Sequence, residues 1–592
     1  MRAKRVVERG HHVKFRRPAP VLAYLGIVAI LLAACTPQAA PGQSSTPSGE
    51  RTVGATQSAG PKSLTIGIQR EPAAFEPELI GATGGAAGGQ LQVRPIAEDY
   101  LVAPLAQGGT EARLALQKPS VTDGTWVVNA DGTMDVTWKL RPNILWHDGA
   151  PFTSADLAFA FEVRQDPQLA RISSGGGRPE LMQSATATDP QTLVVHWKQI
   201  YVLANEGDGL EPLPRHLLED IYRQDKEAMT QSRYLTTDYV GEGAYKLVHW
   251  EQGSHMEFAR NESYYLGRPS FDRLFLRFVP DVNTLVANIL SETVDVVLPP
   301  TVDLDTALEV QRRWEGTGNQ VRIDVGAEMK QLELQFRPEY AKPAVGWTSR
   351  TARQALYQAI DKQTFVEVMT HGAAPIADSW YAPNDPVRKD VEAYIPPFPY
   401  DVNRAQQLLA QDGWVRGADG ILVHQPRAER FEVEITFQQG TGPEKEASII
   451  ADGWKAIGVQ TSLNGLSTQA INDRELLSTR SGPYITMPPG INFYDRRLHS
   501  SVIARPETRW TGTNRGGYNN PKVDELLDRL AITIDPTARI GLHRELLQEQ
   551  MTDIAVMPIH WATVPILMLQ GITGPQTTYN NATSYVWTWD RR

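Results

Sequence analysis

Cysteine is nearly missing from this chain: its 592 residues contain one, Cys35. A body without a second thiol holds no disulfide, so its stability has to come from a buried core, and the length is ample for two or more domains. Long apolar runs are missing too. The charge-free stretch from Pro18 to Ala34 has an apolar core, Val21 to Ala34, that falls short of the roughly 20 residues a helix needs to cross hydrocarbon. The HExxH, GxSxG and P-loop patterns are absent, which removes the common signatures of zinc proteases, serine hydrolases and nucleotide enzymes. Positive charge is in the minority, with 58 Lys and Arg against 68 Asp and Glu. Seven of those cations lie within residues 2–17, so the body that follows is more acidic still. Such a body disfavours nucleic acid and anionic lipid as partners.

What is present begins with that basic start. A cationic stretch, a short apolar core and the small residues Ala33 and Ala34 have the layout of a bacterial export signal. Leu32-Ala33-Ala34-Cys35 resembles the lipobox, in which the cysteine sulfur receives a diacylglyceryl group and becomes the first residue of the mature chain. A plain secretory signal with a chance cysteine is the alternative. Residues 1–34 are thus expected to be the signal peptide, and 35–62, rich in Pro, Ser, Thr, Gly, Ala and Gln, a disordered leash.

Beyond the leash the periodicity is that of α/β structure. Met134, Val136, Trp138 and Leu140 alternate with polar neighbours as in a half-buried strand, and Leu193, Val195 and Trp197 repeat the pattern. Thr153 to Asp156 opens a helix carrying Leu157, Ala158 and Phe161. Strands are expected at 243–250 and 273–279, and a helix from Asp281 leads on to 294–298 as a βαβ unit, which demands parallel pairing. Helices follow at 349–360, from Asp361 to Gly372, and from Asp401 to Gly413. Phe431, Val433, Ile435 and Phe437 alternate as a strand, then a helix over 443–457 and a strand over 459–463 complete another βαβ unit. Two α/β lobes are expected, with ligands gathering in the cleft between them.

Four ordered stretches carry a family resemblance: Trp138 to Arg141 through Trp146-His147-Asp148-Gly149 to Glu162; Val240 to Asp281, beginning VGEGAYKL; Arg350 to Pro383; and Tyr400 to Trp414 together with Gly517-Tyr518-Asn519-Asn520-Pro521. In these the chain resembles the family 5 extracellular solute-binding proteins of ABC importers, receptors for oligopeptides, dipeptides and nickel. The resemblance implies a two-lobed type II periplasmic-binding-protein fold with an additional domain on the first lobe. By the same analogy lobe I comprises 63–90, 233–326 and 556–592, the additional domain 91–232, and lobe II 327–555, with chain crossings near 325–328 and 554–559. It also implies a monomer that is not an enzyme, exported and lipid-anchored at the outer face of the cytoplasmic membrane or in the periplasm. There it captures a peptide or similar small solute and delivers it to a permease and ATPase complex, without a cofactor. A solute sensor and a secreted hydrolase are the alternatives.

Candidate contacts are Gly84 and Gly85 in the glycine-rich stretch 81–89, equally readable as a plain surface loop, and Trp380, Tyr381, Tyr494 and Trp510, aromatics in irregular segments. Asp495 is the single carboxylate where peptide-binding relatives carry an acid-rich segment, and it sits beside Arg496 and Arg497. It suits either an ammonium clamp or a surface ion pair, and the arginines suit a carboxylate or phosphate. His147, His196, His249 and His560 each stand beside a tryptophan in strand-like context. They read as structural residues, and no metal site is expected.

Overall fold

The computed structural model describes residues 61–80, 89–106, 108–169, 179–467, 469–487, 496–576 and 582–592. Cys35, the signal and nearly all of the leash lie outside them.

A ten-stranded sheet runs through the body. In chain order its strands are β1 (Ser63–Ile68), β2 (Tyr245–Glu251), β3 (His255–Arg260), β4 (Arg273–Phe278), β5 (Val296–Val297), β6 (Gln320–Glu333), β7 (Glu432–Gln438), β8 (Gln460–Leu466), β9 (Tyr484–Thr486) and β10 (Val556–Met568). Side by side they run β8-β7-β9-β6-β10-β5-β1-β4-β3-β2. The second expected βαβ unit forms directly: β7 and β8 pair in parallel, joined by the helix Thr441–Ala456. The first forms with a difference. β4 and β5 are joined by the helix Val282–Leu290, but each pairs in parallel with β1, which lies between them. The crossover therefore spans one strand. β3, not anticipated, pairs antiparallel with β2 and β4 and buries Met256 and Phe258.

Each end of the sheet has its own core, which makes the molecule two-lobed. One core gathers Leu64, Ile66, Phe258, Leu276 and Leu285 with Leu567, Val586 and Trp589, the chain returning across some 500 residues to finish it. The other runs from Met329 to Trp561 and centres on Trp347, Leu356, Phe431, Ile435 and Trp454. A third core belongs to the antiparallel sheet of Trp126–Val128, Met134–Lys139, Thr192–Trp197 and Met182–Asp189. Met134, Val136 and Trp138 are fully buried there as their alternation requires. The helix over it, Ser154–Gln165, turns Leu157 into this core and Phe159, Ala160 and Val163 into the first, while Ala158 and Phe161 are half-buried against the third. Asp156 Oδ2 accepts the Thr153 backbone N–H at 2.8 Å, closing the helix start.

β6 and β10 belong to both large cores. Their antiparallel ladder is regular from Gln320 to Val325, then skips: Val325 faces Thr563 but Met329 faces Trp561, so Gly326, Ala327 and Glu328 lie opposite Ala562 alone. β10 passes from the second core to the first between Trp561 and Ile566.

Two of the family-like motifs meet at His147. Its Nε2–H donates to Gly243 O at 3.0 Å, and its Nδ1 accepts the Gly241 N–H at 3.2 Å, so both ring nitrogens are committed in the neutral form. Burial pulls the imidazole down to about 3, against the opposing pull of the Gly243 carbonyl. The unfolded chain, with an ordinary histidine near 6.5, takes a proton first as pH falls. His147's contribution is therefore complete above about pH 6.5 and is lost from there toward pH 3. Because the side chain is half-buried by exposed area, the slope should stay below the limit of about 1.4 kcal/mol per pH unit for one proton. Denaturant unfolding between pH 4 and 7 should show a shallower slope for His147→Gln; equal slopes would remove His147 from the acid response.

Candidate functional site

A cavity of about 350 Å³ lies in the second lobe against the two shared strands. Gln331, Glu333 and Leu334 come to it from the end of β6, Ala555 and Val556 from the start of β10, and Thr486 from β9. Trp380 closes one side, and Thr513 to Gly516 with Tyr518 another. The volume sits at the low end of the roughly 300–1,000 Å³ typical of small-molecule pockets. A wider groove of about 800 Å³ lies between the helices Ser154–Gln165 and Arg215–Gln224. Its charges satisfy one another: Arg223 pairs with Glu162 at 2.7 Å, Lys226 with Asp166 at 2.5 Å and Arg215 with Glu219 at 2.7 Å. The smaller cavity keeps polar groups unmatched.

Its walls are held from behind. Asn514 Nδ2 donates to Tyr518 O at 2.7 Å, and its Oδ1 accepts the Tyr518 N–H at 2.9 Å, tying off the turn before the Gly-Tyr-Asn-Asn-Pro motif. Gly516 presses on β6: a Cβ there would stand 1.8 Å from Leu334 O, and Phe336 N donates to Gly516 O at 2.8 Å. Arg337 donates to Ala504 O at 2.9 Å and to the carbonyls of Ser478 and Arg515. Arg480, buried, pairs with Glu333 Oε1 at 3.0 Å, and burial holds its guanidinium below the usual arginine range despite that partner.

Of the residues singled out from sequence, Trp380 lines the cavity. It is 6% exposed, and among the described residues its indole N–H finds no acceptor. Tyr381 turns away and packs edge-on against His543, with ring centroids 6.0 Å apart. Arg496 pairs with Asp528 of the helix Pro521–Ile532 at 2.6 Å, and Trp510 stands beside Tyr340 with Arg337 over its ring; neither lines the cavity. Arg497 does. Gly84, Gly85, Tyr494 and Asp495 lie outside the described residues. Sequence reasoning passed over Gln331, Glu333 and Arg515. The equal parity of the first two on one strand, and the position of Arg515 just before a recognised motif, were the available signals. Among the described residues, no group of three or more His, Cys, Asp or Glu could hold a metal ion, and no helix is long and apolar enough to cross a membrane.

The lobes touch beyond the shared strands. Val202 N, beside the third core, donates to Ala531 O at 3.0 Å. Asp305, on the helix Leu304–Arg313 of the first lobe, meets His371 Nε2 at 2.8 Å and lies 3.6 Å from Lys445 Nζ, both in the second.

Two α/β lobes sharing a pair of strands, with a cavity against those strands, define a clamp-like binding protein. The profile of the bacterial extracellular solute-binding proteins, family 5 Middle, matches residues 117–504, and the chain belongs to that family. It is similar to the oligopeptide-binding protein AppA of Bacillus subtilis, 24% identical over 533 residues that cover 86% of each chain. It is also similar to heme-binding protein A of Haemophilus influenzae, 24% identical over 410 residues, covering 66% of this chain and 68% of that one. Among solved structures, NikA of Brucella suis in complex with Fe(III)-EDTA is 18% identical with a TM-score of 0.71, covering 90% of this chain and all of the other. The family is one of solute-binding proteins rather than enzymes.

Proposed function

We propose that this chain is the lipid-anchored, extracytoplasmic receptor of an ABC importer. It closes its two lobes on a peptide or similar small solute and hands it unaltered to a permease driven by an ATPase. The observation that supports the reading is a cavity in the second lobe built onto the strands that both lobes share. A ligand shifts such an equilibrium only through different affinities for its two states. The relatives' names carry an oligopeptide and heme, and one structure holds an iron chelate. The family supports the clamp reading and leaves the cargo open.

Cys35 supplies the anchor in this reading, and the leash to residue 62 gives the body room to reach the permease. One experiment tests both halves. Native mass spectrometry of the protein extracted from its host's membranes should give a chain beginning at an acylated Cys35 with a solute of defined mass bound about one to one. A chain retaining residues 1–34 without acyl mass refutes the anchor. A chain with no bound solute, and no stabilisation by host growth medium, refutes the receptor.

A further inference from the structure

We propose that the cavity beside β6 and β10 receives a carboxylate, and that the solute is a small organic acid with an apolar body and an N–H or O–H donor near its acid group. The inference rests on the receptor reading and narrows it.

Charge comes first. Arg515 lines the cavity, and among the described residues of the lining the one carboxylate, Glu333, is already matched by Arg480. Among the described residues, the half-buried Arg515 has no acid within ion-pair distance. The half-buried arginines Arg141, Arg337 and Arg544 also lack an acid but spend their guanidiniums on backbone carbonyls, a bond the Arg515 guanidinium does not make among the described residues. Arg94 pairs with Glu76 at 2.5 Å, Arg113 with Asp99 at 2.7 Å, Arg164 with Glu76 at 2.8 Å and Arg353 with Asp553 at 2.7 Å. This protein matches its buried guanidiniums with acids, as the cost of desolvating an isolated charge requires. Arg515, half-buried at the wall of a cavity, is left without either kind of partner among the described residues.

Position comes second. The backbone at Arg515 is fixed on both sides, its carbonyl taken by Arg337 and the next residue pressed against Leu334 O. The guanidinium is thus presented from a rigid base, the condition under which a planar donor fork recognises an acid group well. Further groups of the lining lack partners among the described residues, among them the Trp380 indole N–H, a donor, and Gln331 Oε1, an acceptor on a side chain 6% exposed. A carboxylate answers the two kinds of donor, and an amide N–H or hydroxyl on the same solute answers Gln331. The remaining wall includes Leu334, Phe336, Met487, Leu498 and Val556, which suits an apolar body. Phosphate fits less well, because a dianion would leave charge uncompensated among these apolar groups.

The test is calorimetric titration of the full chain with N-acetyl-leucine, with N-acetyl-leucinamide, which has the same body without the charge, and with inorganic phosphate. The acid should bind and the amide should bind at least about 10-fold more weakly, the range expected for losing a charge-assisted hydrogen bond. Arg515→Gln should weaken the acid about 10- to 100-fold and erase the preference over the amide, while Arg515→Lys keeps part of it. Thermal unfolding of each variant without ligand reports whether it has folded. Equal binding of acid and amide, an unaffected Arg515→Gln, preference for phosphate, or no binding of any probe would each overturn the proposal. A neutral or cationic solute found by mass spectrometry would overturn it while leaving the receptor reading intact.

Discussion

Arg94→Met should remove about 3–5 kcal/mol from the stability of the first lobe, the usual cost of taking one partner from a buried ion pair. Glu76 is fully buried, with Arg94 at 2.5 Å on one oxygen and Arg164 at 2.8 Å on the other. Arg94 also reaches Glu98 at 2.6 Å, and Glu98 accepts a further bond from the Tyr239 hydroxyl at 2.7 Å. Burial pushes the Glu76 carboxyl above the usual range, and the two guanidiniums pull it back. Without Arg94, Glu98 keeps only the tyrosine hydroxyl among these partners, and Glu76 keeps only Arg164, which is itself shared with Glu211 at 3.1 Å. The network ties the helix Gln90–Ala97 to the helix Ser154–Gln165, so the loss should appear in both the first and third cores. Denaturant unfolding followed by near-ultraviolet circular dichroism measures it. A loss below about 1 kcal/mol would mean that the network carries little charge in the native state.

The second large effect concerns Gly241. A Cβ there would stand 1.9 Å from Ala97 O, the end of the helix Gln90–Ala97. The same residue accepts the His147 N–H at 2.7 Å and donates to the His147 ring at 3.2 Å. An added methyl must displace either the helix end or the histidine turn, and Gly241→Ala should cost about 3 kcal/mol or more. Gly253 is the control. It has φ +76° in a turn with nothing within 4 Å of its Cβ position, so alanine there meets only backbone strain and should cost about 1 kcal/mol. If the two variants unfold at the same denaturant concentration, the close approach at Ala97 is not what Gly241 is for.

Periodic segments were legible because their burial is local. Phe431, Val433, Ile435 and Phe437 alternate in sequence and all are buried, and Asp361 and Asp401 cap the helices they announce. The family-like blocks were legible for another reason: His147 and Gly241 are pinned to each other by hydrogen bonds, so the pattern records a contact. Sheet order was not legible. Nothing in the strands β4 and β5 says that β1, some 200 residues earlier, lies between them. The site was harder still. Trp380 was singled out as an aromatic in an irregular segment and does line the cavity, whereas Tyr381, chosen by the same argument, spends its ring on His543. Arg515 drew no notice because its meaning is an absence: among the described residues it is a cation without an acid, and sequence does not show which charges are matched.

A ladder that skips rungs is slack at that point. Among the described residues, β6 and β10 are the strands that serve both large cores, and their rungs are missing over Gly326 to Glu328 opposite Ala562. The rest of the ladder is held stiff by the cores on either side. Rotation concentrated in a few peptide units there would act like a fulcrum, turning small changes of dihedral angle into large travel at the far rims. The cavity begins at Gln331, only a few residues from that pivot. A small solute seated there would lie close to the axis about which the rims swing.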